Sequence, residues 1–200
     1  MIKKIIMLCF AILCIPLSSM AVSLSELQSN PNRYKQIGKD SSNFGYTDTT
    51  SIKSIRYSHP FYTLHVTEYI VDYEKNLIRE FLAIYNYDYG RSYSSLDKTI
   101  RLNKNTADID VLNAVWKQAR IYSGIRSSHL PLKTYSFEGA LIDSTPQKEP
   151  FPESTTVPFM TIEYARADFA FVRFYAAPFW LGKMPENPND YKTFFGAKIE

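Results

Sequence analysis

Residues 61–89, FYTLHVTEYIVDYEKNLIREFLAIYNYDY, decide the fold of this chain. Apolar and polar side chains alternate along 61–73 and again along 77–89, a pattern typical of β-strands that bury one face. The polar segment 74–76 between the two runs is short enough for a hairpin turn. The sequence therefore predicts a long antiparallel β-hairpin over about 61–89, at the centre of a sheet.

Tyrosines concentrate on one side of this predicted hairpin. Alternation places Tyr85, Tyr87 and Tyr89 on one face of the second strand, and we expect Tyr69 and Tyr73 of the first strand to share it. An exposed ladder of these rings would stack on sugars or on a protein, because each ring offers apolar area and a hydroxyl. Alternatively, a helix covers this face and the rings belong to the core. The five tyrosines are candidate binding residues, and the sequence leaves both interpretations open.

The hydrophobic period changes after the hairpin. Between about 109 and 123, apolar residues recur at steps of three and four, which predicts an amphipathic helix. Asp108 or Asp110 is placed to cap its start, and Gly124 to end it. The residues that set this period are Ile109, Leu112, Val115, Trp116, Ala119 and Tyr122.

A second helix is predicted over about 161–177, with Thr161 as its cap and Pro178 as its end. It is aromatic almost all round, and such a helix is expected to be buried. The sequence thus predicts an α+β fold, in which two helices pack on an antiparallel sheet built around the hairpin. The aromatic residues of this helix are Phe169, Phe171, Phe174 and Tyr175.

Shorter elements account for the rest of the chain. A polar lead-in with one helical turn covers 22–31, and 48–51 has the composition of a turn held by side-chain-to-backbone hydrogen bonds. Four prolines make 144–158 a loop, and 181–200 is an irregular tail. Further strands are predicted over 33–37, 44–47, 99–102 and 132–142.

Residues 1–21 have the parts of a secretory signal peptide. Two lysines precede an apolar run over 5–17 that is too short to span a bilayer, and small residues stand at the cleavage site. We therefore expect 22–200 to be a single exported domain without a transmembrane segment, in the periplasm, at the cell surface or outside the cell. Both cysteines, Cys9 and Cys14, lie in the signal, so this domain has no disulfide and no thiolate metal site.

The charge pattern argues against nucleic acid as a partner. The formal net charge is +3, and Lys3 and Lys4 of the signal supply two of these charges. No run of Lys or Arg exceeds two residues, whereas a surface that tracks phosphates needs clustered cations. We expect the partner to be an envelope component, a glycan or a host protein.

The sequence contains no recognisable catalytic, cofactor or metal motif. His59, His65 and His129 are too widely spaced for a zinc site, and G-x-S-x-G, the P-loop and G-x-G-x-x-G are absent. We therefore expect no cofactor, no metal and no catalytic residue. The oxygen-rich segment 103–110 fits a calcium loop or, more simply, acidic caps of the following helix. Carboxylates that could pair for glycoside cleavage are Glu68, Glu80, Glu138 and Glu163.

The stretch 33–53, with Tyr46, Asp48 and Ser51, resembles the opening of surface-adhesin-E-like domains and of related uncharacterised secreted proteins of bacteria. The shared element is an aromatic-x-Asp-x-x-Ser-Ile step that follows a short strand and leads into a long hairpin. The resemblance covers 33–90 and implies a small antiparallel sheet domain at the bacterial cell surface or in the periplasm. The chain differs from that group in having no cysteine after the signal and in continuing for about 110 further residues.

These observations favour an exported, non-enzymatic binding or interaction module of the bacterial envelope. The alternative is a small secreted hydrolase with an unrecognised active site, and a third possibility is a structural partner in an envelope assembly. The tyrosine face discriminates between the first two. An exposed face favours binding there, whereas a covered face beside a polar cleft that gathers His65 or His129 with carboxylates favours the hydrolase.

Overall fold

The computed structural model describes residues 22–39, 43–103, 107–144 and 153–180. Its helices are α1 (Leu24–Ser29), α2 (Tyr93–Asn103), α3 (Asp108–Ile121) and α4 (Ile162–Tyr175). Its strands are β1 (Tyr34–Lys39), β2 (Asn43–Asp48), β3 (Lys53–Ser58), β4 (Phe61–Asp72), β5 (Leu77–Asp88), β6 (Ile125–Ser136), β7 (Leu141–Ser144) and β8 (Thr155–Thr156). A short 3₁₀ helix, Tyr89–Arg91, follows β5.

The predicted hairpin is strands β4 and β5, and it lies inside a single antiparallel sheet. The strand order is β1-β2-β4-β5-β6-β7. Strands β3 and β2 pair with the same edge of β4, β3 along its first half and β2 along its second half. Strand β8 pairs with β6. In the hairpin turn, the Lys75 amide donates to Asp72 Oδ1 at 3.1 Å, and Asn76 adopts the left-handed conformation that asparagine tolerates. The structure thus confirms the predicted α+β fold.

Helix α4 covers one face of the sheet and forms the largest core cluster with it. The ring of Phe171 lies 4.8 Å from that of Tyr87 and 5.4 Å from that of Phe179, between centroids. The Tyr87 hydroxyl donates to the Ala167 carbonyl at 2.8 Å, so this buried phenol is hydrogen-bonded. The helix begins where predicted, because Thr161 Oγ1 accepts from the Tyr164 amide at 3.1 Å.

The opposite face of the sheet has its own smaller core beneath α1. Tyr34 and Tyr69 meet there edge to face at 5.7 Å between ring centroids. The Tyr34 hydroxyl donates to Glu26 Oε1 at 3.0 Å, which ties α1 to β1. The buried members of this cluster are Val22, Leu27, Tyr34, Tyr46, Tyr69, Val71, Ile78 and Tyr135.

Residues 99–102 belong to helix α2, so the prediction of a strand there is wrong. The Ser95 amide donates to Ser92 Oγ at 3.3 Å at the start of the helix, and Asp97 pairs with Arg101 one turn later at 3.0 Å. Leu96 packs with α3 in a third core cluster. This tertiary packing overrides the short β-like pattern of 99–102. The cluster contains Leu96, Val111, Val115, Ala119 and Trp180.

The strand predicted over 132–142 is divided by a turn. Strand β6 ends at Ser136, whose amide donates to the Ala140 carbonyl at 2.9 Å. Gly139 has a φ of +89°, which a glycine adopts without steric cost, and β7 begins two residues later. Strand β3, which the sequence pattern did not predict, completes the edge beside β4.

Helix α3 has the predicted position, but its start differs from the prediction. Ala107 is the N-cap and makes no side-chain hydrogen bond, whereas Asp108 and Asp110 lie in the first turn. Carboxylates at that position stabilise the positive end of the helix dipole. The helix ends at Ile121, and Gly124 follows with a φ of +84°.

Two predicted segments, the signal peptide 1–21 and the tail 181–200, lie outside the described residues, as do 145–152 of the proline-rich loop. None of the helices in the described part of the chain is long and apolar enough to cross a membrane. The turn 48–51 is as predicted, since Asp48 Oδ1 accepts from the Thr50 amide at 2.9 Å and Ser51 Oγ donates to the Asp48 carbonyl at 2.8 Å.

Candidate functional site

The five candidate tyrosines do not form one exposed surface. Tyr85 and Tyr87 are buried under α4, and Tyr89 is buried against Tyr62 and Phe179, whereas Tyr69 and Tyr73 lie on the opposite face of the sheet. The register explains the separation: the partner of Tyr85 in β4 is Leu64, so even-numbered residues of β4 share the face of Tyr85. The prediction that all five share a face is therefore wrong. The alternative, in which the rings of Tyr85, Tyr87 and Tyr89 belong to the core, is what the structure shows.

A pocket of about 260 Å³ lies on the α4 face, beside the first turns of that helix. We call it the Glu68 pocket. Glu68 continues the even-numbered column of β4, Phe81 is its partner in β5, and His129 projects from β6. Its lining residues are Glu68, Ile70, Phe81, His129, Glu163 and Arg166.

Glu68 is the most buried charged group of the pocket, with 1 % of its surface exposed. The Tyr85 hydroxyl donates to Glu68 Oε1 at 2.6 Å. Glu68 Oε2 lies 3.6 Å from Arg166 Nη1 and 3.9 Å from His129 Nε2, both longer than a hydrogen bond. Burial raises the pKa of Glu68 above the usual value near 4.5, although Arg166, Tyr85 and His129 each act to lower it.

His129 stands between the two carboxylates of the pocket. Its Nε2 approaches Glu68, and its Nδ1 lies 3.8 Å from Glu163 Oε1. The side chains of His129 and Glu163 are each about one-third exposed, so solvent reaches both. The Ser127 hydroxyl donates to Glu163 Oε1, which links the start of α4 to strand β6.

Arg166 is held in place by the backbone of the sheet edge. Its Nε donates to the Ile37 carbonyl at 3.0 Å. A Cβ atom on Gly45 would lie 1.8 Å from Arg166 Nη2, so glycine at this position in β2 leaves the space that the guanidinium occupies. Helix α4 lies similarly close to Gly38, whose φ is +89°. The cation is therefore positioned by the fold as well as by Glu68.

Only some of the candidate residues predicted from the sequence lie close together in the structure. Of the four candidate carboxylates, Glu68 and Glu163 share the pocket, while Glu80 accepts from Tyr135 at 2.6 Å and Glu138 is exposed in a turn. His129 joins the pocket, but His65 pairs with Ile84 and therefore lies on the other face of the sheet. Sequence reasoning missed Ser127 and Arg166. The sequence feature that pointed to this site was Glu68, an acidic residue on the face of β4 that Leu64 and Val66 otherwise make apolar.

The structure describes the acidic segment before α3 only in part, because 104–106 lie outside the described residues. Asp108 pairs with Arg101 at 2.7 Å, which occupies one of its oxygens. Among the described residues, no group of three or more His, Cys, Asp or Glu side chains is arranged to hold a metal ion. The Glu68 pocket is the candidate site that we consider, because it gathers ionisable side chains from β4, β6 and α4.

Comparison with known proteins adds no assignment to this pocket. No family model matches the chain, and neither a curated protein nor a solved structure matches it. The function of the pocket must therefore be inferred from its own chemistry. That chemistry combines a buried carboxylate, a partly exposed imidazole, a partly exposed carboxylate and a fixed cation.

Proposed function

We propose that the chain is an exported protein of the bacterial envelope that acts as a non-enzymatic binding module, and that its ligand occupies the Glu68 pocket. The observation that carries this proposal is Glu68, which is 1 % exposed and whose Oε2 is paired with Arg166 at 3.6 Å beside an open pocket. A buried charged group costs free energy unless it is paired. The Arg166 ion pair offsets part of that cost, and a ligand that donates a hydrogen bond to Glu68 would offset more of it.

The ligand is small and polar, or it is a small polar end group of an envelope component or glycan. Pockets of ordinary ligand sites combine apolar walls with a few polar groups that fix orientation. Ile70 and Phe81 provide the apolar walls here, and Glu68, His129 and Glu163 provide the polar groups. Groups with perturbed pKa values concentrate at functional sites, which agrees with the raised pKa of Glu68.

Export and ligand binding are tested separately. N-terminal sequencing of protein from the exported fraction should find Val22 as the first residue, and an intact N-terminus at Met1 would contradict export by a cleaved signal. The isotope-labelled protein is then titrated with sugars, amines, carboxylates and amino acids. We expect at least one compound class to shift the amide resonances of Phe81, His129 and Glu163 saturably, and a complete lack of shifts there would contradict binding in this pocket.

Hydrolysis is the second candidate function, because His129 lies within 4 Å of both Glu68 and Glu163. A carboxyl group with a raised pKa is suited to general acid catalysis, and a second carboxylate nearby is suited to act as a base or nucleophile. Release of nitrophenol from aryl glycosides and aryl esters tests this function. Turnover that is lost in Glu68→Gln and retained in Glu138→Gln would replace the binding proposal with the hydrolase.

A further inference from the structure

The charged groups around Glu68 Oε2 point to the chemistry of the ligand. Glu68 is 1 % exposed and lines the pocket, and its Oε2 is paired with Arg166 at 3.6 Å, a longer separation than a direct hydrogen bond. Both ring nitrogens of His129 are likewise 3.8 Å or more from the nearest carboxylate oxygens. A group inserted at the mouth of the pocket can therefore contact Glu68, His129 and Glu163 together.

The charge of the pocket favours a cation at that position. When Glu68 and Glu163 are both ionised, they contribute two negative charges, and Arg166 contributes one positive charge. The Arg166 guanidinium already donates to the Ile37 carbonyl and approaches Glu68 from the side of the sheet edge. One further positive charge would make the set neutral, and hydrogen bonds from a cation to a carboxylate are about twice as strong as those between neutral groups.

We propose that the ligand of the Glu68 pocket carries a primary ammonium group, which donates to Glu68 Oε2 and to Glu163. This inference rests on the proposed function, since it assumes that the pocket binds a ligand. The three protons of an ammonium group match the oxygens and the ring nitrogen that converge there. Ile70 and Phe81 then contact the carbon atoms that carry the amine.

A matched set of three probes tests the charge directly. Ethanolamine, ethylene glycol and glycolate have nearly the same size, and they place an ammonium, a hydroxyl or a carboxylate at the same position. The labelled protein is titrated with each at neutral pH, and the amide shifts of Phe81 and Glu163 and the ring signals of His129 are followed. We expect ethanolamine to bind at least about tenfold more tightly than ethylene glycol, and glycolate to bind more weakly than either.

Variants assign the effect to the pocket. Glu163→Gln removes one carboxylate from a partly exposed position and should weaken ethanolamine binding about tenfold while leaving ethylene glycol nearly unchanged. Glu68→Gln should weaken it at least as much, and Glu163→Gln keeps the test valid where the buried substitution disturbs folding. Glu138→Gln is the matched control, because it makes the same charge change in an exposed turn and should bind ethanolamine as the wild type does.

The outcomes separate this inference from the proposed function. Equal or tighter binding of ethylene glycol or glycolate would overturn the ammonium inference, while it would leave the Glu68 pocket as a binding site. Ethanolamine binding that Glu163→Gln and Glu138→Gln weaken equally would also overturn it, because the effect would then be one of net charge. If none of the three probes shifts a pocket resonance, the ammonium inference fails, and the wider compound set decides whether the pocket binds anything.

Discussion

The two halves of helix α4 rest on the same face of the same sheet but have opposite surroundings. The C-terminal half covers an aromatic core, in which Phe171 and Tyr175 pack on Tyr62 and Tyr87. The N-terminal half borders the Glu68 pocket. The helix and the strands are continuous through both regions, so the difference lies in the side chains that each strand presents.

The columns of the sheet change from apolar to polar along the strands. In β4, Leu64 and Val66 are followed by Glu68, and in β6 Ile125 is followed by Ser127 and His129. Small residues of α4, Ala167 and Ala170, let the helix approach the aromatic end closely. A regular scaffold thus packs densely at one end and stays open at the other, where a ligand can enter.

The largest expected effect is at the aromatic end. Phe171→Ala should destabilise the protein by about 3–5 kcal/mol, because it leaves a cavity among fully buried rings. The free energy of unfolding from urea titration measures this effect. Val172→Ala, at an exposed position of the same helix, should change stability by less than about 0.5 kcal/mol. Similar values for the two variants would show that this half of α4 is not packed as described.

Tyr85 lies between the aromatic core and the Glu68 pocket. Removal of its hydroxyl tests how much the hydrogen bond to Glu68 stabilises the fold. Tyr85→Phe removes the donor to Glu68 Oε1 and should cost about 1–3 kcal/mol at neutral pH, since a buried carboxylate loses its hydrogen bond. The control is Tyr135→Phe, which removes a bond of the same 2.6 Å length to the partly exposed Glu80. We expect a smaller loss there, and an equal or larger loss in Tyr135→Phe would show that burial of Glu68 is not decisive.

The pH dependence of stability reports the cost of charging Glu68. Burial raises its pKa in the folded state, so the stabilising contribution of the protonated form is complete below about pH 4.5 and is lost as the pH rises through the folded pKa. Glu68→Gln keeps a neutral side chain at every pH. Its stability relative to the wild type should therefore improve as the pH rises, by about 1.4 kcal/mol for each unit by which the pKa is raised. Urea titrations from pH 4 to pH 8 measure the difference, and parallel curves for the two proteins would contradict a raised pKa.

Much of the aromatic half could be predicted from sequence, because its signals are local. The alternation along β4 and β5 and the Thr161 cap of α4 each lie within a short segment. Helix α2 was mistaken for a strand at 99–102 because its stability comes from Leu96 packing against α3, which no local pattern reports.

The sequence predicts individual residues of the pocket but not their arrangement. Glu68, His129 and Glu163 were each noted as candidates, but they come from β4, β6 and α4, and only the folded chain brings them together. The prediction that the five tyrosines share one face is wrong for a related reason. Assigning Tyr69 to the face of Tyr85 requires the exact pairing register across the hairpin, and a shift of one residue exchanges the two faces.

Glu163→Gln should have the smallest effect on stability, within about 0.5 kcal/mol of the wild type, because the side chain is partly exposed and glutamine can still accept from Ser127. Thermal and urea unfolding measure this change beside that of Phe171→Ala. A loss above about 1.5 kcal/mol would mean that the ion pairs of the pocket hold the fold together, as buried pairs do when one partner is removed. A negligible loss, together with weakened ethanolamine binding, would mean that Glu163 is dispensable for folding, so that its carboxylate serves a ligand at the open end of α4.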